Sequence, residues 1–289
     1  MTMSHMSTAA SASPAPQPFQ VRKLTPAIGA EIIGVDLSEG VDDATFARVL
    51  DAWHENCVIL FRDQHLTEEQ QVAFAQKFGT LATIHTKQFV STHPAVMLIS
   101  NIRKDGKLIG ALPDGEMNFH SDQCHQEKPA KGSMLYAIEI PSKGGDTLFA
   151  NAYLAYETLP DDVKKRLQGL KAENGYDYDS AATKRGGEAK GPSYVHPVVR
   201  THPVTGRKAL YVNRLMTRRI MELPADESDA LLNMLFDHQE KPEFIYGHVW
   251  RVNDLLLWDN RCCLHARTDF SAAERRMLRR VTILGEKPV

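Results

Sequence analysis

The run Phe119-His120-Ser121-Asp122 sets an imidazole and a carboxylate two residues apart. On a β-strand, residues i and i+2 point to the same face, so His120 and Asp122 would reach toward one point. Two such ligands cover adjacent corners of a coordination octahedron, and a third from a distant segment completes one face. A face of two histidines and one carboxylate leaves three positions open, which is the arrangement oxygen-activating ferrous sites use. By itself the pattern says little, because His-x-Asp is common by chance. His265, in LLLWDNRCCLHARTDF, is the candidate third ligand, since it follows an apolar strand and the polar turn Asp259-Asn260-Arg261. His85, His125, His196, His202 and His248 also fall in strand or loop contexts, and pattern alone does not separate them from it. A histidine after an apolar strand is more often a hydrogen-bonded structural residue than a ligand.

A second cluster lies near the C-terminus, in Arg275-Arg276-Met277-Leu278-Arg279-Arg280-Val281-Thr282-Ile283-Leu284. Read as a strand, it places Arg276, Leu278, Arg280 and Thr282 on one face and Arg275, Met277, Arg279, Val281 and Ile283 on the other. Two guanidinium groups on one face suit two separate anions, because arginine binds carboxylates bidentately. The competing reading is a solvated basic edge strand; arginines turned inward need partners, since an unpaired buried charge is costly.

The elements that would position these residues follow from periodicity and punctuation. Phe19 to Val35 reads as short strands with turns at Gly29 and Gly34. Asp42 to Glu55 carries Phe46, Val49, Leu50 and Trp53 at helical spacing. Cys57–Phe61 and Val96–Ser100 read as buried strands, and Thr67 to Phe78 as a helix capped through Thr67, Glu69 and Gln70. Ser133–Ile140 is a strand ended by Pro141 and the Gly144-Gly145 turn, with a new strand from Thr147 to Ala150. A helix is expected over Tyr156–Leu170, with Leu159-Pro160 near its start, and another over Ala225–Gln239. Short strands are expected at Val195–Arg200, Lys208–Val212, Phe244–Val252, Asp254–Trp258 and Met277–Leu284. The polar, glycine-bearing stretch Ser180–Ser193 reads as a long loop, suited to a lid. Many short strands, few helices and no βαβ alternation predict a mainly β fold with flanking helices, in one domain over 18–289.

Composition narrows the setting. The 289 residues carry 34 Lys and Arg against 36 Asp and Glu, a formal charge of −2, so no basic field suggests nucleic acid. No apolar run approaches the ~18 residues that span a bilayer, so no membrane role is expected. The start, MTMSHMSTAASASPAPQPF, has neither a basic nor an apolar signal segment and reads as a disordered leader over 1–17. Cys57, Cys124, Cys262 and Cys263 form no disulfide framework, which predicts a reducing, cytoplasmic location.

The runs HSDQCHQEKPAKGSMLYAIEIPSKGGDTLFANAYLAYETLP and WDNRCCLHARTDFSAAERRMLRRVTI resemble the taurine dioxygenase and 2,4-dichlorophenoxyacetate dioxygenase family. GAEIIGVDL, VILFRDQHLTEEQQVAFAQKFG and THPVTGRKALYVN extend the likeness from about Phe19 to the C-terminus. The resemblance implies a double-stranded β-helix, or jelly-roll, core. It places His120, Asp122 and His265 on the family's iron-ligand positions. Thr147 falls where a hydroxyl helps hold the distal carboxylate of 2-oxoglutarate. Arg276, eleven residues past His265, falls on the arginine that pairs with that carboxylate, and Arg280, fifteen past it, on the arginine that reaches the substrate's anionic group. The implied cofactors are Fe(II), 2-oxoglutarate as co-substrate and O2. In the implied reaction 2-oxoglutarate takes two metal positions and is oxidatively decarboxylated to succinate and CO2 while the substrate is hydroxylated. The resemblance also implies a homo-oligomer.

Two departures speak against taurine itself. Glu116 stands where taurine dioxygenases have an asparagine, and Leu81–Lys87 reads LATIHTK in place of a His-Pro-Val-Tyr stretch, with His85 in a shifted register. Arg280 still argues for a small anionic organic substrate, a sulfonate or an aryloxyalkanoate-like carboxylate, hydroxylated beside a heteroatom so that the product fragments. Two other readings are a zinc-type metallohydrolase, active without oxygen, and a non-catalytic binder of small anions. The first gives no reason for Thr147 and Arg276 at these spacings, the second uses the arginines alone, and neither explains the whole set of motifs.

Overall fold

The computed structural model describes residues 19–111, 117–176 and 191–289. The expected leader, Glu116 and residues 180–190 of the expected lid lie outside them. The chain opens with strands β1 (Gln20–Lys23) and β2 (Ala30–Ile33), then helix α1 (Asp43–Asn56) and strand β3 (Val58–Phe61). The Asp42 carboxylate caps α1 by accepting from the Thr45 N–H, and Val49, Ala52, Trp53 and Asn56 form its buried stripe. Helix α2 (Glu68–Phe78) carries a full capping box in which Gln70, rather than Glu69, answers Thr67. Strands β4 (Val96–Ser100), β5 (Met117–His120), β6 (Ala130–Glu139) and β7 (Thr147–Asn151) follow.

One expectation is corrected after β7. In place of a single helix over Tyr156–Leu170 there are two short ones, α3 (Ala152–Glu157) and α4 (Asp161–Arg166). Pro160 has no N–H to give and disfavours helical geometry at Leu159, so the chain breaks there and restarts. The Asn151 side chain caps α3 by accepting from the N–H groups of Tyr153 and Leu154, which starts that helix earlier than its apolar spacing suggests. The predicted helix α5 (Ala225–Gln239) is present with those bounds. Strand β8 spans only Ile245–His248, because Pro242 starts a short 3-10 turn that ends at Phe244. Strands β9 (Leu255–Asp259), β10 (Cys263–Arg267) and β11 (Met277–Leu284) close the chain.

These strands form a seven-stranded sheet in the order β1-β2-β3-β9-β6-β11-β4 and a four-stranded sheet in the order β8-β7-β10-β5. Alternation along the central strands explains how the large sheet is covered on both sides. Val58, Leu60, Leu135, Ala137, Leu256, Trp258 and Leu278 face the small sheet and pack with its Phe149 and Cys263. Their neighbours Ile59, Phe61, Met134, Tyr136, Leu255, Leu257, Val281 and Ile283 face α1 and α2. The result is the mainly β jelly roll with flanking helices expected from the sequence. A separate apolar cluster joins α3 and α5 to Leu210, Val212 and Ile220. It includes Ala172, on a strand Lys171–Gly175 that the sequence did not signal, since KAENG alternates nothing apolar. Among the described residues no helix is long and apolar enough to cross a membrane.

Leu257 is fully buried between the large sheet and the helices. Leu257→Ala is expected to cost about 2–5 kcal/mol of unfolding free energy, measured by chemical denaturation. A loss under about 1 kcal/mol would contradict a close-packed core at this position.

Candidate active site

His120 ends β5 and His265 lies on β10, directly opposite it in the antiparallel register. The register shifts between His265 and Arg267, so the regular ladder ends where the two imidazoles meet. Asp122 departs from expectation: β5 stops at His120, and the carboxylate sits in the following turn, not on the same strand. It is re-aimed by the turn and its hydrogen bonds rather than by the pleat. The outcome is the same convergence. His120 Nε2 lies 4.0 Å from Asp122 Oδ1, and His265 Nε2 lies 3.9 Å from Asp122 Oδ2. One ligand atom from each residue falls within 4.8 Å of the other two, and all three residues are buried.

The protonation states suit a cation. His120 Nδ1 faces the Asn118 carbonyl at 2.9 Å. A carbonyl only accepts, so Nδ1 carries the proton and Nε2 keeps its lone pair. Burial pushes both imidazoles toward the neutral form, His265 down to about 3 with the neighbouring His120 adding to the effect. Burial would raise the Asp122 carboxyl, but Arg280, His265, His120 and the Ser133 hydroxyl together hold it well below the usual carboxylate range. Two neutral imidazoles and an ionised carboxylate, buried and converging, are a donor set that fits a divalent metal of the iron type.

Beside the triad lie the arginines. Arg280 Nη1 is 3.6 Å from Asp122 Oδ1. Arg280 shares its face of β11 with Leu278 and Thr282, as the alternation predicts. Arg279 points the other way, over the Tyr136 ring at 4.6 Å, and donates to the Leu66 carbonyl. Arg276, just before β11, is 2% exposed. Its Nη2 donates to the Gly145 carbonyl at 3.2 Å, while Nε and Nη1 have no partner among the described residues. Burial, then the nearby Arg267, pulls the guanidinium down to about 9, with Asp146 opposing.

The turn before β7 is shaped for that guanidinium. Gly144 and Gly145 have φ of +76° and +68°. A Cβ on Gly145 would press on the Arg276 side chain, and one on Gly144 would collide with the Asp269 carbonyl. Thr147 opens β7 and is buried, its Oγ1 accepting from Trp250 Nε1 at 3.0 Å.

The other histidines do not join the triad. His202 pairs with Asp259 at 3.1 Å and His248 with Asp254 at 3.1 Å, both within the core. His196 Nε2 faces the Gln126 carbonyl, His125 stacks on Tyr176, and His85 is exposed. His202, Asp259 and Cys262 also lie close together. There Asp259 already accepts from Arg261 and His202, the pattern of a structural ion-pair network. Sequence reasoning missed Trp250, Asn101, Ser133 and Asn260. Asn101 accepts from the Arg276 N–H, and Ser133 donates to Asp122. None carries a signal of its own, because each acts through a partner far along the chain.

Comparison with known proteins agrees with this geometry. The profile of the family described as taurine catabolism dioxygenase TauD, TfdA matches residues 20–282. An (S)-phenoxypropionate/alpha-ketoglutarate-dioxygenase from Sphingobium herbicidovorans is 35% identical, over 93% of this chain and 96% of its own. An alpha-ketoglutarate-dependent 2,4-dichlorophenoxyacetate dioxygenase from Cupriavidus pinatubonensis is 36% identical, over 92% and 98%. The crystal structure of a taurine dioxygenase from Burkholderia xenovorans superposes with a TM-score of 0.80 at 34% identity, covering 94% of this chain and 92% of that one. With nearly its whole length matched, this chain belongs to the TauD, TfdA family of Fe(II)- and 2-oxoglutarate-dependent dioxygenases.

Proposed function

We propose that His120, Asp122 and His265 hold the iron, that Thr147 and Arg276 hold 2-oxoglutarate, and that Arg280 receives the anionic group of the substrate. The observation that carries the assignment is the convergence of three buried ligand atoms within 4.8 Å beside a buried guanidinium with no ion pair among the described residues. When bound, iron and 2-oxoglutarate supply an oxidant: O2 is consumed, 2-oxoglutarate leaves as succinate and CO2, and one oxygen atom enters a substrate C–H bond. The chain's own contribution is placement in a dry setting. The neutral imidazoles offer lone pairs without first losing protons. Arg276, held over the glycine turn, pairs with a distal carboxylate bidentately, and the Thr147 hydroxyl, already accepting from Trp250, keeps its own proton to donate to that group.

The substrate we propose is a small organic acid of the aryloxyalkanoate or sulfur-oxyanion type, oxidised at the carbon beside the heteroatom. A hydroxyl placed there makes a hemiacetal-like product that fragments, releasing the phenol or the sulfur oxyanion. Support comes from the phenoxypropionate and 2,4-dichlorophenoxyacetate dioxygenases, matched over most of their lengths, and from a sulfate ester dioxygenase of Pseudomonas putida, 33% identical. We place the enzyme in the cytoplasm, supported by four buried, unpaired cysteines.

Two outcomes test these assignments. Arg276→Leu removes a buried charge that has no ion pair among the described residues, so the free protein is expected to melt no lower than the parent while 2-oxoglutarate no longer raises its Tm. Preserved stabilisation by 2-oxoglutarate would remove Arg276 from the co-substrate site. Arg280→Gln is expected to raise KM for 2,4-dichlorophenoxyacetate or its active analogue about tenfold or more, read as substrate-dependent succinate release, with 2-oxoglutarate affinity little changed. An unchanged KM would place the substrate anion elsewhere, and product formed without oxygen would favour a metallohydrolase.

A further inference from the structure

We infer that Ser133 and Asn260 are positioning residues that hold Asp122 to a single coordinating oxygen and so preserve a co-substrate position on the metal; this rests on the triad assignment above. Asn260 lies in the turn between β9 and β10, and Ser133 lies on β6. Asn260 Oδ1 accepts from Trp258 Nε1 at 3.0 Å and from the Asp122 N–H at 3.2 Å. An indole and a backbone amide can only donate, so they fix which end of the Asn260 amide is oxygen. The Nδ2 end then donates to Ser133 Oγ at 3.0 Å. A hydroxyl has one proton, and with Asn260 donating into its oxygen, Ser133 directs that proton to Asp122 Oδ2. The Ser121 hydroxyl donates to the Asn260 carbonyl at 2.8 Å, tying the Asp122 turn to the same residue.

The direction of every bond in this relay is therefore set by groups with no alternative. Water cannot replace them, because Ser133, Trp258 and Asn260 are essentially inaccessible. Oδ2, which lies 3.9 Å from His265 Nε2, takes the Ser133 proton, and Oδ1, toward His120 Nε2 and Arg280, takes no hydroxyl proton. A hydrogen bond into Oδ2 draws on its lone pairs and makes it the weaker donor, which favours coordination through Oδ1. Three protein donors leave three octahedral positions, two for 2-oxoglutarate and one for O2. A chelating carboxylate would take a fourth position and compete with 2-oxoglutarate.

The test separates metal binding from co-substrate binding, with Mn(II) as the probe metal and 2-oxoglutarate as titrant, both by calorimetry on the full chain. In Ser133→Ala, Mn(II) affinity is expected to stay within about threefold of the parent while 2-oxoglutarate affinity for the Mn(II)-loaded protein falls about tenfold or more. Ser133→Cys, of similar volume but with a weaker donor, is expected to fall between the two. Unchanged 2-oxoglutarate affinity in Ser133→Ala would overturn the inference. So would a parallel loss of Mn(II) and 2-oxoglutarate, which would show only that the carboxylate had been misplaced. A parent protein that binds neither Mn(II) nor 2-oxoglutarate would instead refute the metal-site reading on which the inference rests.

Discussion

Burying charge with incomplete pairing is among the costliest things a fold can do, and this one concentrates such charges in one place. Asp122 is held toward its ionised form in the interior, Arg276 is almost wholly enclosed with two nitrogens unpartnered among the described residues, and Arg280 stands against Asp122 at 3.6 Å. Two other buried carboxylates are met by cations: Asp259 by Arg261 and His202, and Asp254 by Arg62 and His248. Under the proposed assignment, a cation among the triad and an anion on Arg276 would complete these charges.

The rest of the fold makes that incompleteness tolerable. The large sheet is sealed on its outer face by α1 and α2 and on its inner face by the small sheet. Its central strands are thus apolar on both sides, and the stability they supply offsets the strained electrostatics of the site. The same alternation that sends Val281 and Ile283 toward the helices sends Arg280 toward the triad. Arg279, on the helix side, finds a carbonyl and the Tyr136 ring instead. One strand therefore carries both a core face and a face toward the triad, and its pleat decides which arginine lies on which.

Much of this architecture is legible in the amino-acid sequence. Capping residues and apolar spacing define α1, α2 and α5 to within a residue or so, because local physics governs those elements. The face-sharing of Leu278, Arg280 and Thr282 follows from period two. The break at Pro160 shows where local signals conflict: the apolar spacing continues through it, but the missing N–H prevails. The strand Lys171–Gly175 is illegible because only its neighbours on either side make it a strand. His120 and His265 are recognisable by motif, yet their pairing across β5 and β10 is a long-range fact. The strand argument reaches Asp122 for the wrong reason, since the carboxylate lies in the turn after β5 and is held there by hydrogen bonds with Ser133 and Asn260. Choosing His265 over His202 or His248 requires the family likeness, because histidine spacing does not reveal which carboxylate each ring will meet.

The central claim is that the three converging side chains bind ferrous iron with 2-oxoglutarate beside it. Anaerobic addition of Fe(II) and then 2-oxoglutarate, followed by visible absorption, tests it most directly. A weak metal-to-ligand charge-transfer band should grow to saturation at one equivalent of iron and be absent from Asp122→Ala under the same conditions. No band in the parent protein, or an equal band in the variant, would contradict the account.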